Sequence, residues 1–148
     1  MKQFRKILHP TDFSRASGAA FAKALDLAKQ NGAELVVVHV LLPPTPFMGD
    51  GYIPPKTYDA LEAANRRAAE RRLSALLAKA KKARVRVKAL LVEGVAYDQI
   101  ARAARSRRSD LIVMGTHGRT GLSKFFMGSV AERVIPLAPC PVLTVRGK

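Results

Sequence analysis

Apolar and polar positions follow two alternating periods along this chain, and each switch between periods marks a strand–helix unit. Lys6-Ile7-Leu8-His9 reads as a first strand. Ser14 then offers a helix N-cap, and Ala20, Ala24, Leu27 and Ala28 recur on one helical face. Asn31-Gly32 closes that helix, with glycine just past its end. Residues 34–42 are a nearly unbroken apolar second strand. Residues 43–55, rich in proline and glycine, predict a mobile loop near the strand ends. A helix over residues 57–82 places Ala69, Leu73, Leu76 and Ala80 on one face. Residues 84–92 alternate Val85, Val87, Ala89 and Leu91 with Arg84, Arg86 and Lys88, which predicts a strand with one wet face at a sheet edge. Gly94 leads into a helix with Tyr97, Ile100, Ala101 and Ala104 on one side. Residues 110–114 form a fourth strand, a helix runs from Gly128 to about Leu137, and Val142-Leu143-Thr144-Val145 is the fifth strand.

Alternating strand and helix predicts an α/β fold: a single doubly wound, five-stranded parallel sheet with helices on both faces. The apolar strands one, two and four belong at its centre and strand three at an edge, giving the order 3-2-1-4-5. The winding reverses between strands one and four, and ligands of such sheets bind there, at the carboxyl ends of the strands. Strand one ends in His9-Pro10-Thr11-Asp12, and strand four runs into Gly115-Thr116-His117-Gly118. The unusual residues therefore meet at one place. A chain of 148 residues is one domain, residues 1–148, with a core of its own.

The glycine-bearing segment carries the chemistry. It reads G-x2-G-x9-G-S, from Gly115 through Gly118 to Gly128-Ser129, between a strand end and a helix start. Glycines let backbone N–H groups approach a phosphate, and a helix N-terminus adds unpaired donors and a favourable dipole. Arg119 and Lys124 add positive charge. The spacing is neither the dinucleotide pattern G-x-G-x-x-G nor a Walker loop, since Lys124 follows Ser123 and precedes Phe125.

Composition narrows the setting. An apolar fraction of 48% and a charged fraction of 25% are those of a soluble globule. No apolar run approaches membrane-spanning length, and Met1-Lys2-Gln3-Phe4-Arg5-Lys6 lacks a signal-peptide core, so a cytoplasmic protein is expected. Cys140 is the one cysteine and reads as a packing residue. His9, His39 and His117 fit no zinc signature, so no metal site is expected. The net charge of +15 would attract anions, but it is spread widely and reads as a solvated basic surface. With nine aromatic residues, no Trp and no helix-turn-helix signal, nucleic acid is not the favoured partner.

Taken together, these residues resemble the universal stress protein family, in its ATP-binding branch. The resemblance rests on Ile7-Leu8-His9-Pro10-Thr11-Asp12-Phe13-Ser14, on the strand Val36 to Val40, on Val113-Met114-Gly115-Thr116-His117-Gly118 with Met127-Gly128-Ser129-Val130, and on Cys140-Pro141-Val142. It covers essentially the whole chain. It implies an adenine nucleotide alpha hydrolase-like fold, ATP as ligand with Mg2+ or Mn2+ carried by the phosphates, and a homodimer paired through residues 142–145. Position by position, it implies that Asp12, beside Pro10 and Thr11, meets the adenosine end. Val40 offers backbone contacts to adenine, and Met114 lines the pocket. Gly115, Gly118, Gly128 and Ser129 hold ribose and phosphates, with Val130, His117 and Arg119 close by. Ala131 stands where binding members often carry a hydroxyl residue.

The function expected is an ATP-binding stress-response module whose nucleotide state alters its dimer surface and partners. Two alternatives stand beside it. One is a slow ATPase or phosphotransferase, for which His117 is the sole candidate to position water. The other is a charge-driven nucleic-acid-binding protein.

Overall fold

The apolar runs assemble as a parallel sheet whose central strands are too hydrophobic to face water on either side. A computed structural model describes residues 3–42, 47–48, 51–116 and 127–147. The elements are β1 (Lys6–Pro10), α1 (Arg15–Asn31), β2 (Glu34–Leu41), β3 (Phe47–Met48), β4 (Gly51–Tyr52), α2 (Pro55–Lys82), β5 (Val87–Glu93), α3 (Ala96–Ser106), β6 (Leu111–Thr116), α4 (Met127–Val134) and β7 (Val142–Arg146). The main sheet has the order β5-β2-β1-β6-β7, with its paired strands parallel. This is the expected 3-2-1-4-5 once the small antiparallel hairpin β3–β4 is set aside.

Period-two alternation sends each strand's side chains to two cores. Ile7, Leu35, Val37, Leu111 and Val113 pack with Phe21, Ala24 and Ala28 of α1 and Leu73 and Ala80 of α2. Leu8, Val36, Val38, Ile112 and Met114 pack with Ile100 and Ala104 of α3 and Ala131 and Val134 of α4. Both faces are thus covered, and α1 buries Phe21 and Ser17 beyond the alanine stripe read from sequence.

Some boundaries differ from the expectation, each for a physical reason. The loop over residues 43–55 contains the β3–β4 hairpin, a second two-stranded sheet. The helix α2 starts at Pro55, two residues early, because proline is well placed in a first turn, where its missing N–H costs nothing. The third main strand, β5, starts at Val87 because Arg84 occupies a left-handed turn (φ 61°) that ends α2. Its wet face is confined to its start: Lys88, like Arg86 just before the strand, is exposed, whereas Leu90 and Val92 pack against the α3–α4 core. The last helix, α4, begins at Met127, and Ile135–Leu137 tightens into a 3-10 turn around Pro136, which has no N–H for the α ladder.

Candidate functional site

The pairing of β1 with β6 runs only over Ile7–Leu111 and Leu8–Ile112. Beyond that pair the strands are joined by a side chain: His9 Nδ1–H donates to the Val113 carbonyl at 2.9 Å. The His9 ring is fully buried against Phe21, 5.7 Å between centroids. Its Nε2 has no hydrogen-bond partner among the described residues. Desolvation dominates its acidity and lowers the pKa to about 4, against the smaller raising effects of the Val113 bond and Asp12. His9 is therefore neutral at neutral pH.

The chain then leaves the sheet at the switch point. Pro10 is buried at the end of β1, opposite Val38. The Thr11 N–H donates to the Val38 carbonyl at 2.9 Å, and His39 Nδ1–H donates to the Thr11 carbonyl at 2.7 Å. Asp12 Oδ1 accepts from the Ser17 hydroxyl at 2.6 Å and from the Ser14 N–H at 2.9 Å. Ser14 in turn caps α1, accepting from the Ser17 N–H at 3.2 Å. Asp12 is thus bolted to the positive end of α1, where a carboxylate is stabilised by both bonds and dipole. Phe13, between them, takes a left-handed backbone (φ 64°), a conformation a bulky residue seldom holds. That turn lays its ring on His39 at 4.5 Å, with the Arg72 guanidinium 5.4 Å from its centroid on α2.

These groups wall a cavity of about 440 Å3 at the carboxyl ends of β1 and β2. Thr11, Asp12, Phe13, His39 and Val40 line it from the sheet, Asn65, Ala68, Ala69 and Arg72 from α2, and Ala96 and Val130 from α3 and α4. The volume lies within the ~300–1,000 Å3 of small-molecule sites, and the lining is apolar with a few polar groups, as such sites are. The α2 wall was missed in the sequence. Asn65, Ala68, Ala69 and Arg72 do form an i, i+3, i+4, i+7 stripe, but two polar residues around two alanines look like a solvated helix face.

The residues expected to bind fall into separate groups. Thr11, Asp12, Val40 and Val130 line the cavity. Pro10 does not, and the Met114 side chain is fully buried in the α3–α4 core. Gly115 faces α1: a Cβ there would lie 2.7 Å from the Ala16 carbonyl carbon and oxygen. That glycine lets a helix cross the strand closely, a packing duty independent of any ligand. Gly128 and Ser129 sit in the first turn of α4. His117, Gly118, Arg119, Gly121 and Lys124 lie outside the described residues. Cys140 is half-buried against the α3–α4 core, and burial, then the charge of Asp110, raise its thiol pKa, as suits a packing residue. Among the described residues no group of three or more His, Cys, Asp or Glu could hold a metal ion, and no helix is long and apolar enough to cross a membrane.

Residues 3–146 match the universal stress protein family. The chain belongs to that family. It is 36% identical to a Thermus aquaticus universal stress protein over 97% of this chain and 99% of the relative. It is 35% identical to universal stress protein MJ0531 of Methanocaldococcus jannaschii over 97% of this chain and 82% of that one. The solved structure of the hypothetical protein MJ0577 superposes with a TM-score of 0.84 at 26% identity, covering 99% of both chains. In this universal stress protein the Arg72–Phe13–His39 stack walls the cavity at the carboxyl ends of β1 and β2.

Proposed function

We propose that this universal stress protein binds ATP in the cavity at the carboxyl ends of β1 and β2 and acts as a cytoplasmic, nucleotide-dependent regulatory dimer. The observation that carries the reading is the cavity itself. It has the size of a nucleoside site, a carboxylate at one wall and apolar walls from Val40, Ala68 and Val130. Backbone at Val40 and the Asp12 side chain are suited to the polar edge of a base or ribose, and the flat sides would take the ring. Gly128 and Ser129 at the start of α4 would face the phosphates, where a helix N-terminus favours anions. Gly118 and Arg119 would complete that end, and Mg2+ or Mn2+ would arrive on the phosphates. Proteins that share the fold support the ligand class: an Arabidopsis thaliana family member was solved with AMP bound and an Archaeoglobus fulgidus one with dAMP.

The dimer reading is supported by the β7 edge. Leu143 and Thr144 are exposed there, as are Ile135 and Leu137 just before the strand. An apolar sheet edge of this kind invites a second copy of the strand.

The test begins with denaturing the purified protein, identifying any nucleotide released, and titrating ATP with magnesium. Saturable ATP binding is expected, and Ala68→Trp, which fills the cavity from the half-exposed side of α2, should abolish it while the circular dichroism stays unchanged. Undiminished ATP affinity in that variant would remove the cavity as the site. Measuring phosphate release in the same samples separates binding from turnover.

A further inference from the structure

The end of the sheet opposite the cavity is built from three copies of one turn. In each, one of the two residues after the helix takes a left-handed conformation and the N–H that follows it returns to an alanine carbonyl. Ala33 bonds Ala28 at 2.9 Å around Gly32 (φ 62°), Val85 bonds Ala80 at 3.0 Å around Arg84 (φ 61°), and Ser109 bonds Ala104 at 2.9 Å around Arg108 (φ 53°). Glycine is the natural occupant of this position because it has no Cβ to clash. The first turn has it. The other two place arginine there, at a steric cost that glycine would not carry.

These arginines do not stand apart. Backbone bonds from Leu35 to Arg86, from Glu34 to Arg5 and from Asp110 to Lys6 tie the strand starts into one row. Lys82, Arg84 and Arg86 approach it from the α2–β5 turn, Arg5 from before β1, and Arg105 and Arg108 from the α3–β6 turn; all six are exposed. Residues 71–88 hold eight basic residues and no acidic one. The acids in the row are turned to internal tasks. Glu34 pairs with Lys88 at 3.7 Å, and Asp110 accepts the N–H groups of Arg5 at 2.9 Å and Lys6 at 3.3 Å. Complementing helix dipoles does not account for the pattern, since Lys29, Lys81, Lys82 and Arg105 already supply cations to the last turns. The left-handed arginines add charge that no dipole requires, at positions that resist them.

From β5 to β6 the row spans three strand spacings, about 14 Å. Its arginines carry forked donors matched to phosphate oxygens. Phe4, the aromatic neighbour of Arg5, packs against the α1–α2 core, so the row presents no platform for unstacked bases and offers contacts to a backbone instead. We propose that this end of the molecule is a binding face for duplex nucleic acid, held through its phosphates without sequence preference. An anionic membrane is the less suited occupant, because the row has no apolar side chain to enter it. The exposed Ile135 and Leu137 lie beside Arg105, whose guanidinium donates to the Leu137 carbonyl at 3.1 Å, toward the β7 edge that the dimer would cover.

The face and the cavity are at opposite ends of the strands, so the proposal stands apart from the ligand assigned to the cavity. The experiment is fluorescence anisotropy with the full chain and a labelled DNA duplex, from about 50 to 200 mM salt. Arg84→Gly combined with Arg108→Gly is the decisive variant, because glycine relieves the turns while removing their charge. Weaker binding is expected, with the log–log salt slope reduced by about two, and a thermal midpoint equal to or above that of the parent. A second pair, Lys23→Ala with Arg67→Ala, removes the same charge from exposed positions away from the row and should keep parent affinity and slope. Equal weakening by both pairs would reduce the effect to net charge and overturn the site. So would unchanged binding in the glycine pair, no binding of the duplex by the parent protein, or binding to phosphatidylserine vesicles in place of DNA.

Discussion

At neutral pH the buried imidazole of His9 is neutral, and the protein is tied to keeping it so. Its pKa is about 4 in the folded chain against 6.5 for the free side chain. Between those values the unfolded state binds the proton and the folded state does not, so this group's stabilisation is complete above pH 6.5 and is lost as pH falls toward 4. The shift corresponds to about 3 kcal/mol over that window. Unfolding free energies measured from pH 7 to 4 should fall more steeply in the parent than in His9→Phe; parallel curves would show that His9 does not set the acid limb. Gly115→Ala is a second prediction at this scale. The added methyl would meet the Ala16 backbone at 2.7 Å, and overpacking of this kind costs about 1–3 kcal/mol in denaturant unfolding. The sequence marked Gly115 as unusual, yet its neighbour across the fold is Ala16, a contact between residues remote in sequence that local spacing does not reveal.

Helix α1 begins and ends by local rules, and so its bounds were legible. Ser14 caps α1 and Gly32 closes it, both as read from the chain. Replacing Ser14 by Ala should cost about 1 kcal/mol, and it would also loosen the turn that holds Asp12, so urea melts and ATP affinity should move together. What was not legible follows from rules broken for other reasons. Arginine in a left-handed turn reads as strand or helix, so the start of β5 was placed three residues early. Arg84→Gly alone should raise stability by about 1 kcal/mol, seen as a higher denaturant midpoint. Phe13 was read as part of a strand-end turn, but its left-handed backbone and its stack on His39 depend on β2 and α2 arriving beside it.

Viewed whole, the molecule carries a charge of +15. Self-repulsion of that size opposes compaction and is screened by salt, so the thermal midpoint should rise from 10 mM toward about 150 mM salt. A midpoint that falls over that range would mean that the three ion pairs seen among the described residues outweigh the repulsion. The fold was legible at this scale because strand hydrophobicity alone separates centre from edge. The cavity was half legible: the chain announces Asp12 and Val40, but nothing local says that a helix 28 residues long will lean over them. The repeated turn explains why it does. It levels the carboxyl ends of α1, α2 and α3 at one height, whereas their lengths are 17, 28 and 11 residues. At 1.5 Å per residue, α2 is longer than α1 by about 16 Å, and all of that surplus must project past the other end of the sheet. The two ends of this helix therefore live under different rules of inheritance. Residues inserted near its carboxyl end would rotate Ala80 out of the core and break the turn, while whole helical turns gained or lost before Asn65 would change only the reach of the awning over the cavity.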